Sequence, residues 1–336
     1  MNKDEKGSFN AGNPQLSIIV AYFDSGNLIV RCLESLKNQS TDQPFEIIVV
    51  DSSSNGMATL IKKRFPDVRL YQFPERKFCG DARNFGLSVA KAEIIAFIDA
   101  DCRAAPDWVN QILRAHQFPP LAIGGAIANG NPDSIVGWAA YLCEFSQWMP
   151  GGLSGMIADI AGANMSYKRE TFEKHGLFLE GTYSSDTEFH WRLERSGHFL
   201  RFVPSILVFH HNIDQFKRFL KHEFEHGRSF ARVRMKSQDF SKWRRLFYGT
   251  FSFLIPGWLL LKIGLRNSKN RIYLFYFLKT WPLLMLGLMS WSLGECAGYL
   301  FHSAHQFSQP TRNGLSLQEE SRYSTEDIRE PYGGYS

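Results

Sequence analysis

The sequence predicts an α/β fold: a mostly parallel sheet flanked by helices, followed by a hydrophobic helical segment. Three features predict this. Between residues 16 and 118, short apolar, β-branched runs alternate with helix-length stretches, and repeated units of that size form a parallel sheet covered on both faces. Three of those runs end in polar or acidic residues, namely Tyr22-Phe23-Asp24, Asp51-Ser52 and Asp99-Ala100-Asp101. In a parallel sheet such ends converge on one edge, where open α/β sheets bind their ligands. After Arg245 the composition shifts to long uncharged, aromatic-rich runs.

The elements follow in order. Residues 16–22 form a short apolar run suited to a strand, and 27–37 a helix. A second strand, 45–50, closes on Asp51 and the polar turn Ser52-Ser53-Ser54-Asn55-Gly56. Another helix precedes a strand at 68–73, and Gly80-Asp81-Ala82-Arg83-Asn84 opens a helix reaching Ala90. The five consecutive apolar residues Ile94-Ile95-Ala96-Phe97-Ile98 read as a strand buried on both faces. Pro106-Asp107-Trp108 starts the next helix, since Pro sits comfortably in a first turn. Residues 121–165, Gly-rich and aromatic, are expected to form a loop region with short strands. A helix is expected at 186–196, then extended segments at 199–203 and 206–209 with a bend at Val203-Pro204.

The 336 residues suffice for one large domain or two modest ones with a sizeable core. The formal charge of +5 is mild but uneven: residues 217–245 hold ten Lys or Arg against Glu223, Glu225 and Asp239. Such a run suits an anionic surface or phosphate groups, and equally a solvated helix face. No nucleic-acid partner is expected. The cysteines Cys32, Cys79, Cys102, Cys143 and Cys296 show no paired spacing, which argues against a disulfide framework or a zinc knuckle and fits a reducing compartment. Residues 1–15 are polar without a secretory apolar core, so the first domain is expected in the cytosol.

Residues 246–261 carry no charge for sixteen positions and 280–294 none for fifteen, with Arg266, Lys269, Arg271 and Lys279 between them. Each run is short for a membrane span unless flanking residues snorkel. A two-span hairpin would also carry that basic loop away from the cytosol, against the usual charge bias. Association with membrane lipids at the cell membrane is expected, with spanning and interfacial arrangements both open.

Two carboxylates at the end of a doubly buried strand, Asp99 and Asp101, are held firmly beside the crevice. Hard oxygen ligands there suit Mg²⁺ or Mn²⁺, ions that usually accompany substrate phosphates. By itself such a triplet is more often a turn or a helix cap. A nucleotide would fit three acidic strand ends in register, with Asp51 accepting from a base N–H and Asp99 and Asp101 holding ribose and metal.

Seven pieces in order resemble the family 2 glycosyltransferases, inverting enzymes of the GT-A nucleotide-sugar fold. They are Ser17-Ile18-Ile19-Val20-Ala21-Tyr22, Ile48-Val49-Val50-Asp51-Ser52-Ser53-Ser54, Gly80-Asp81-Ala82-Arg83-Asn84-Phe85-Gly86, Phe97-Ile98-Asp99-Ala100-Asp101, Gly162-Ala163-Asn164-Met165-Ser166-Tyr167-Lys168-Arg169, Ser185-Asp186-Thr187-Glu188 and Val208-Phe209-His210-His211. The resemblance covers residues 15–230. With the composition, this divides the chain into 1–14 as a polar segment, 15–235 as the catalytic domain, 236–301 as basic linker and membrane-associated helices, and 302–336 as a polar tail expected to be disordered.

The resemblance also implies roles. Asp51 is then the base-recognition carboxylate, with Tyr22 framing the nucleoside, and Arg83 lies against base or diphosphate. Asp99 and Asp101 become ribose and metal contacts, and His210, with His211 as competitor, completes the metal site. Asp186 becomes the general base, although the same position at a helix start suits an N-cap. Ser185 and Glu188 depart from the family pattern, which usually has Glu and Asp there. Arg228, in the basic segment, is expected to touch the donor phosphates. The donor is a nucleotide-diphosphate sugar, with a UDP-sugar the commonest case, and the acceptor is a lipid-linked or polysaccharide glycan. No Gln-x-x-Arg-Trp occurs, which favours single over processive transfer. The alternatives are a nucleotidyltransferase on a similar sheet, or a catalytically silent membrane scaffold.

Overall fold

The computed structural model describes residues 13–301. The expectations for residues 1–12 and for the tail from 302 fall outside the described residues. Four strands, β1 (Leu16–Tyr22), β2 (Phe45–Asp51), β3 (Arg69–Gln72) and β4 (Ile94–Asp99), alternate with helices α1 (Leu28–Lys37), α2 (Met57–Arg64) and α3 (Cys79–Val89). They pair in parallel in the order β3-β2-β1-β4. β1 is apolar on both faces because each face meets a different layer. Ile18 and Val20 pack with Ile29 and Leu33 of α1, whereas Ile19 packs with Phe85 and Leu87 of α3.

The chain continues through β5 (Cys102–Ala104), α4 (Trp108–Ala115), β6 (Ala122–Asn129), α5 (Ile135–Phe145), β7 (Gly155–Ile157), β8 (Asn164–Lys168), α6 (Arg169–His175), α7 (Ser185–Arg195) and β9 (Leu200–His210). The parallel arrangement is confined to the first half and to β6 with β9; β8 runs antiparallel to β4 and β6, and β5 and β7 antiparallel to β9.

Two expectations require correction. Residues 121–165 contain an eight-residue strand, β6, and an eleven-residue helix, α5, rather than loops with short strands. The glycines of β6 belong to close packing: a Cβ on Gly124 would lie 2.3 Å from Ile160, and one on Gly125 would lie 2.1 Å from the Ile206 carbonyl. The bend at Val203-Pro204 is not a break. β9 is one strand in which Val203 pairs with Gly125 and Leu207 with Ala126, so Pro204, Ser205 and Ile206 bulge out. Pro, which cannot donate to a ladder, sits where the ladder is interrupted.

Beyond β9, α8 (Phe216–Ser237) lies along α11 (Arg271–Leu300), while α9 (Lys242–Phe251) and α10 (Ile255–Asn267) are joined by a single 3₁₀ turn. Glycines let α8 and α11 touch backbone to backbone. A Cβ on Gly227 would stand 2.2 Å from the Trp291 carbonyl, and one on Gly294 would stand 2.1 Å from that of Phe224. The stretches Lys242–Asn267 and Arg271–Leu300, 26 and 30 residues, are long and apolar enough to cross a membrane by length and composition. Trp258, Phe275 and Trp281, among others, point outward.

Candidate active site

The strand ends meet as expected. Tyr22 lies opposite Asp51 and Ala21 opposite Asp99, so β1, β2 and β4 finish flush along one edge. Asp51 is buried, and its Oδ1 accepts from the Ser53 backbone N–H at 2.8 Å and hydroxyl at 2.6 Å. This turn fixes the carboxylate at the mouth of the crevice. The Tyr22 hydroxyl accepts from Asn55 Nδ2 at 2.8 Å, tying the next polar loop to the same edge.

Arg83, from the first turns of α3, is the hub. Its Nη2 donates to Asp99 Oδ1 and to the Gly162 carbonyl, both at 3.1 Å, and its Nη1 lies 3.9 Å from Asp186 Oδ2. Burial works against the guanidinium charge, but Asp99 and Asp186 outweigh it and raise its pKa. Burial pushes Asp99 above the usual carboxylate range, with Arg83 pulling the other way. Although it stands on a helix, Arg83 is not a surface residue, being only 4 % exposed. Gly162 permits this contact: a Cβ there would lie 2.4 Å from Asp186 Oδ2 and 2.7 Å from Arg83 Nη2.

Asp101 faces His210 across 3.4 Å, from carboxylate Oδ1 to imidazole Nε2, and that oxygen is buried without a hydrogen-bond partner. His210 Nδ1 lies 2.9 Å from Asn212 Oδ1. The Asn212 amide nitrogen is committed to Asn129 Oδ1 and to the His210 carbonyl, which fixes the amide and makes Nδ1 the protonated imidazole nitrogen. A lone pair then faces a carboxylate with nothing between, a donor set that a divalent cation satisfies. Without a cation, a second proton serves: burial opposes it, yet Asp101, Glu144 and Asp99 lift His210 above its ordinary value. His211, just past the end of β9, donates its backbone N–H to the Asp101 carbonyl at 3.0 Å, and it is the His210 imidazole that faces the Asp101 carboxylate. Cys102 also stands close, but burial and the adjacent Asp101 and Asp99 raise its thiol pKa, making it a poor ligand.

Asp186 is the second residue of α7. The N-cap position belongs to Ser184, in the left-handed region at φ 59° without a side-chain cap, so Asp186 is free of that duty. Its Oδ1 accepts from the Thr187 N–H at 3.0 Å while Oδ2 faces Arg83. Ser185 is small because it packs under α3, where a Cβ on Gly80 would meet its hydroxyl at 2.8 Å. Glu188 turns away, pairing with Arg192 Nε at 2.9 Å. Arg228 lies on α8 with its guanidinium 5.9 Å from the centre of the Phe224 ring, and no described contact joins it to Asp99, Asp101 or Asp186.

Among the site neighbours, Asp159 and His190 carry no sequence signal of their own. Behind Asp186, His190 bridges Asp159 Oδ1 at 2.5 Å and the Tyr167 hydroxyl at 2.6 Å. His226 of α8 lies with its ring centre 6.3 Å from that of Tyr183, near enough to Asp186 to feel its charge. Burial and His222 hold its pKa down to about 4 against the pull of Glu144 and Asp186. These residues come from segments far apart in sequence, and only the fold joins them.

Comparison with known proteins agrees with this geometry. Residues 17–176 match the family described as Glycosyl transferase family 2. The putative glycosyltransferase EpsH of Bacillus subtilis (strain 168) is 29% identical over 227 residues, 66% of this chain and 59% of that protein. Hyaluronan synthase of Pasteurella multocida is 25% identical over 237 residues, 58% of this chain and 24% of that protein. The chain therefore spans less than two thirds of the length of either relative. Among solved structures, the mannosyltransferase PcManGT from Pyrobaculum calidifontis, in complex with GDP-Man and Mn²⁺, superposes with a TM-score of 0.55. It is 17% identical, over 85% of this chain and 88% of that one, and shows a shared GT-A-type fold. With seven motif pieces, flush acidic strand ends and this matched segment together, residues 17–176 belong to glycosyl transferase family 2.

Proposed function

We propose that the protein is an inverting glycosyltransferase. It moves one sugar from a nucleotide-diphosphate donor to a lipid-linked or polysaccharide acceptor at the cytoplasmic face of the cell membrane. The supporting observation is Arg83, which holds Asp99 and Asp186 on either side of one guanidinium beside the Asp101–His210 pair. The name of the Pasteurella relative favours a glycan acceptor, and the exposed apolar helices favour a membrane setting.

Asp51 accepts from the base, with a UDP-sugar the first donor to try, Tyr22 frames the nucleoside, and Asp99 takes the ribose. Arg228 contributes to the donor phosphates. Asp101 and His210 would hold Mg²⁺ or Mn²⁺, and the bound ion would act as a Lewis acid that stabilises charge growing on the leaving diphosphate. The acceptor hydroxyl attacks the anomeric carbon from the face opposite the diphosphate. As its new C–O bond forms and the sugar–phosphate bond breaks, Asp186 takes the hydroxyl proton. Gly162 and Arg83 keep the Asp186 carboxylate in place for that transfer.

A panel of UDP- and GDP-sugars, scored for product with and without Mn²⁺ or Mg²⁺, tests the reading. Release of nucleoside diphosphate dependent on a divalent ion is expected. Pyrophosphate formed from a nucleoside triphosphate and a sugar 1-phosphate, with no nucleoside diphosphate released from the sugar donors, would instead identify a nucleotidyltransferase, and no turnover in either assay would leave the silent scaffold.

A further inference from the structure

A second cluster lies between α5 and α8, apart from the Asp101–His210 pair. Glu144, near the end of α5, and His222 and Glu223 of α8 each present one ligand atom, all within 4.8 Å of one another. His222 Nε2 stands 3.5 Å from Glu144 Oε1. Glu223 is 0 % exposed, and both of its carboxylate oxygens are buried without a hydrogen-bond partner. A carboxylate so placed costs several kcal/mol unless a proton or a cation compensates it. The groups beside it are the Cys143 thiol and the Glu144 carboxyl, neither of which brings positive charge. The side chains of Glu144 and His222 remain 18% and 33% exposed, which leaves a path from solvent.

Two carboxylates and one imidazole with an open side form a ligand set suited to a first-row divalent cation, with water filling the remaining positions. We propose that Glu144, His222 and Glu223 form a second divalent-cation site, for Zn²⁺ or Mn²⁺, independent of the donor site. The His222 ring lies 5.6 Å from that of His226, and Phe145, next to Glu144, lies 4.6 Å from the His210 ring, so the cluster neighbours the crevice residues of α8 and β9. A cation there cross-links α5 to α8, the helix that carries His226 and Arg228. This assignment does not depend on the transfer reaction proposed above.

The full-length protein in detergent, stripped with EDTA and dialysed against MnCl₂ or ZnCl₂ without nucleotide, tests it by counting bound metal. Asp101→Asn is expected to keep one equivalent. Glu223→Gln and His222→Ala are each expected to lose that equivalent and the rise in melting temperature that accompanies its binding. Glu223→Gln matches the shape and neutrality of the protonated side chain, so its metal-free form is expected to melt no lower than the unaltered protein. Two results would overturn the proposal: no cation bound by Asp101→Asn, or the same stoichiometry and melting shift in Glu223→Gln and His222→Ala as in the unaltered protein. A carboxyl pair that merely shares a proton gives the first of these.

Discussion

Arg83 joins Asp99 and Gly162 by hydrogen bonds and Asp186 by a 3.9 Å ion pair, and a single added methyl group disturbs the arrangement. In Gly162→Ala the new Cβ must displace the Asp186 carboxylate or the Arg83 guanidinium, because it would start 2.4 Å from the first and 2.7 Å from the second. Misplacing a catalytic group by about 1 Å costs roughly 100-fold in rate. Turnover is expected to fall by about that factor with an unchanged far-UV circular dichroism spectrum. Elsewhere, buried His116 sits 2.9 Å from the Ser166 hydroxyl, and burial brings its pKa from the ordinary 6.5 down to about 3. Between those values the unfolded chain takes up a proton that the folded protein refuses. Stability therefore falls as pH drops through that window, by at most about 1.4 kcal/mol per pH unit for this group. Denaturant unfolding at pH 7 and pH 5 is expected to show that slope, flattened in His116→Gln. Asp51, Asp99 and Asp101 were legible in the sequence because each stands at the end of an apolar strand, whereas Asp186 was legible only through the resemblance, since a carboxylate at a helix start is as readily an N-cap. Gly162 was legible only as part of a motif, since its role depends on two side chains from α3 and α7.

At the scale of elements, the parallel β1–β4 half was legible because uninterrupted apolar runs have few other uses. β6 was not, because Ala122-Ile123-Gly124-Gly125-Ala126 carries glycines that in isolation weaken a strand. Ile160 and Ile206 fill the space those glycines leave, and both lie far off in sequence. β9 read as two segments because Pro204 marks a bulge as readily as an end. The α8–α11 contact depends on the same device as β6. Gly294 approaches the Phe224 carbonyl so closely that a Cβ would stand 2.1 Å from it. Gly294→Val forces the helices apart, with an expected cost of about 1–3 kcal/mol. A lowered melting temperature in detergent would register it, and an unchanged one would show that the helices are not held by this contact.

Across the whole molecule, the crevice and the apolar helices are joined by α8, which carries His226 and Arg228 and lies along α11. Outward-facing Trp258, Phe275 and Trp281 form an apolar surface of the kind that soluble monomers rarely display. The protein is expected to float with lipid vesicles in a density gradient. Resistance to an alkaline carbonate wash would then separate helices that span the bilayer from helices that lie on it, a distinction that length and composition alone leave open. Both uncharged runs were plain in the sequence, whereas their packing against α8 needed the fold.

The most direct test of the central claim is Asp186→Asn, assayed separately for donor binding by calorimetry and for transfer to acceptor. The swap keeps the size and much of the hydrogen bonding of the side chain but removes the base. Donor affinity is expected to hold while transfer falls by at least about 100-fold, the usual contribution of a positioned general base. Transfer at the unaltered rate would contradict the assignment.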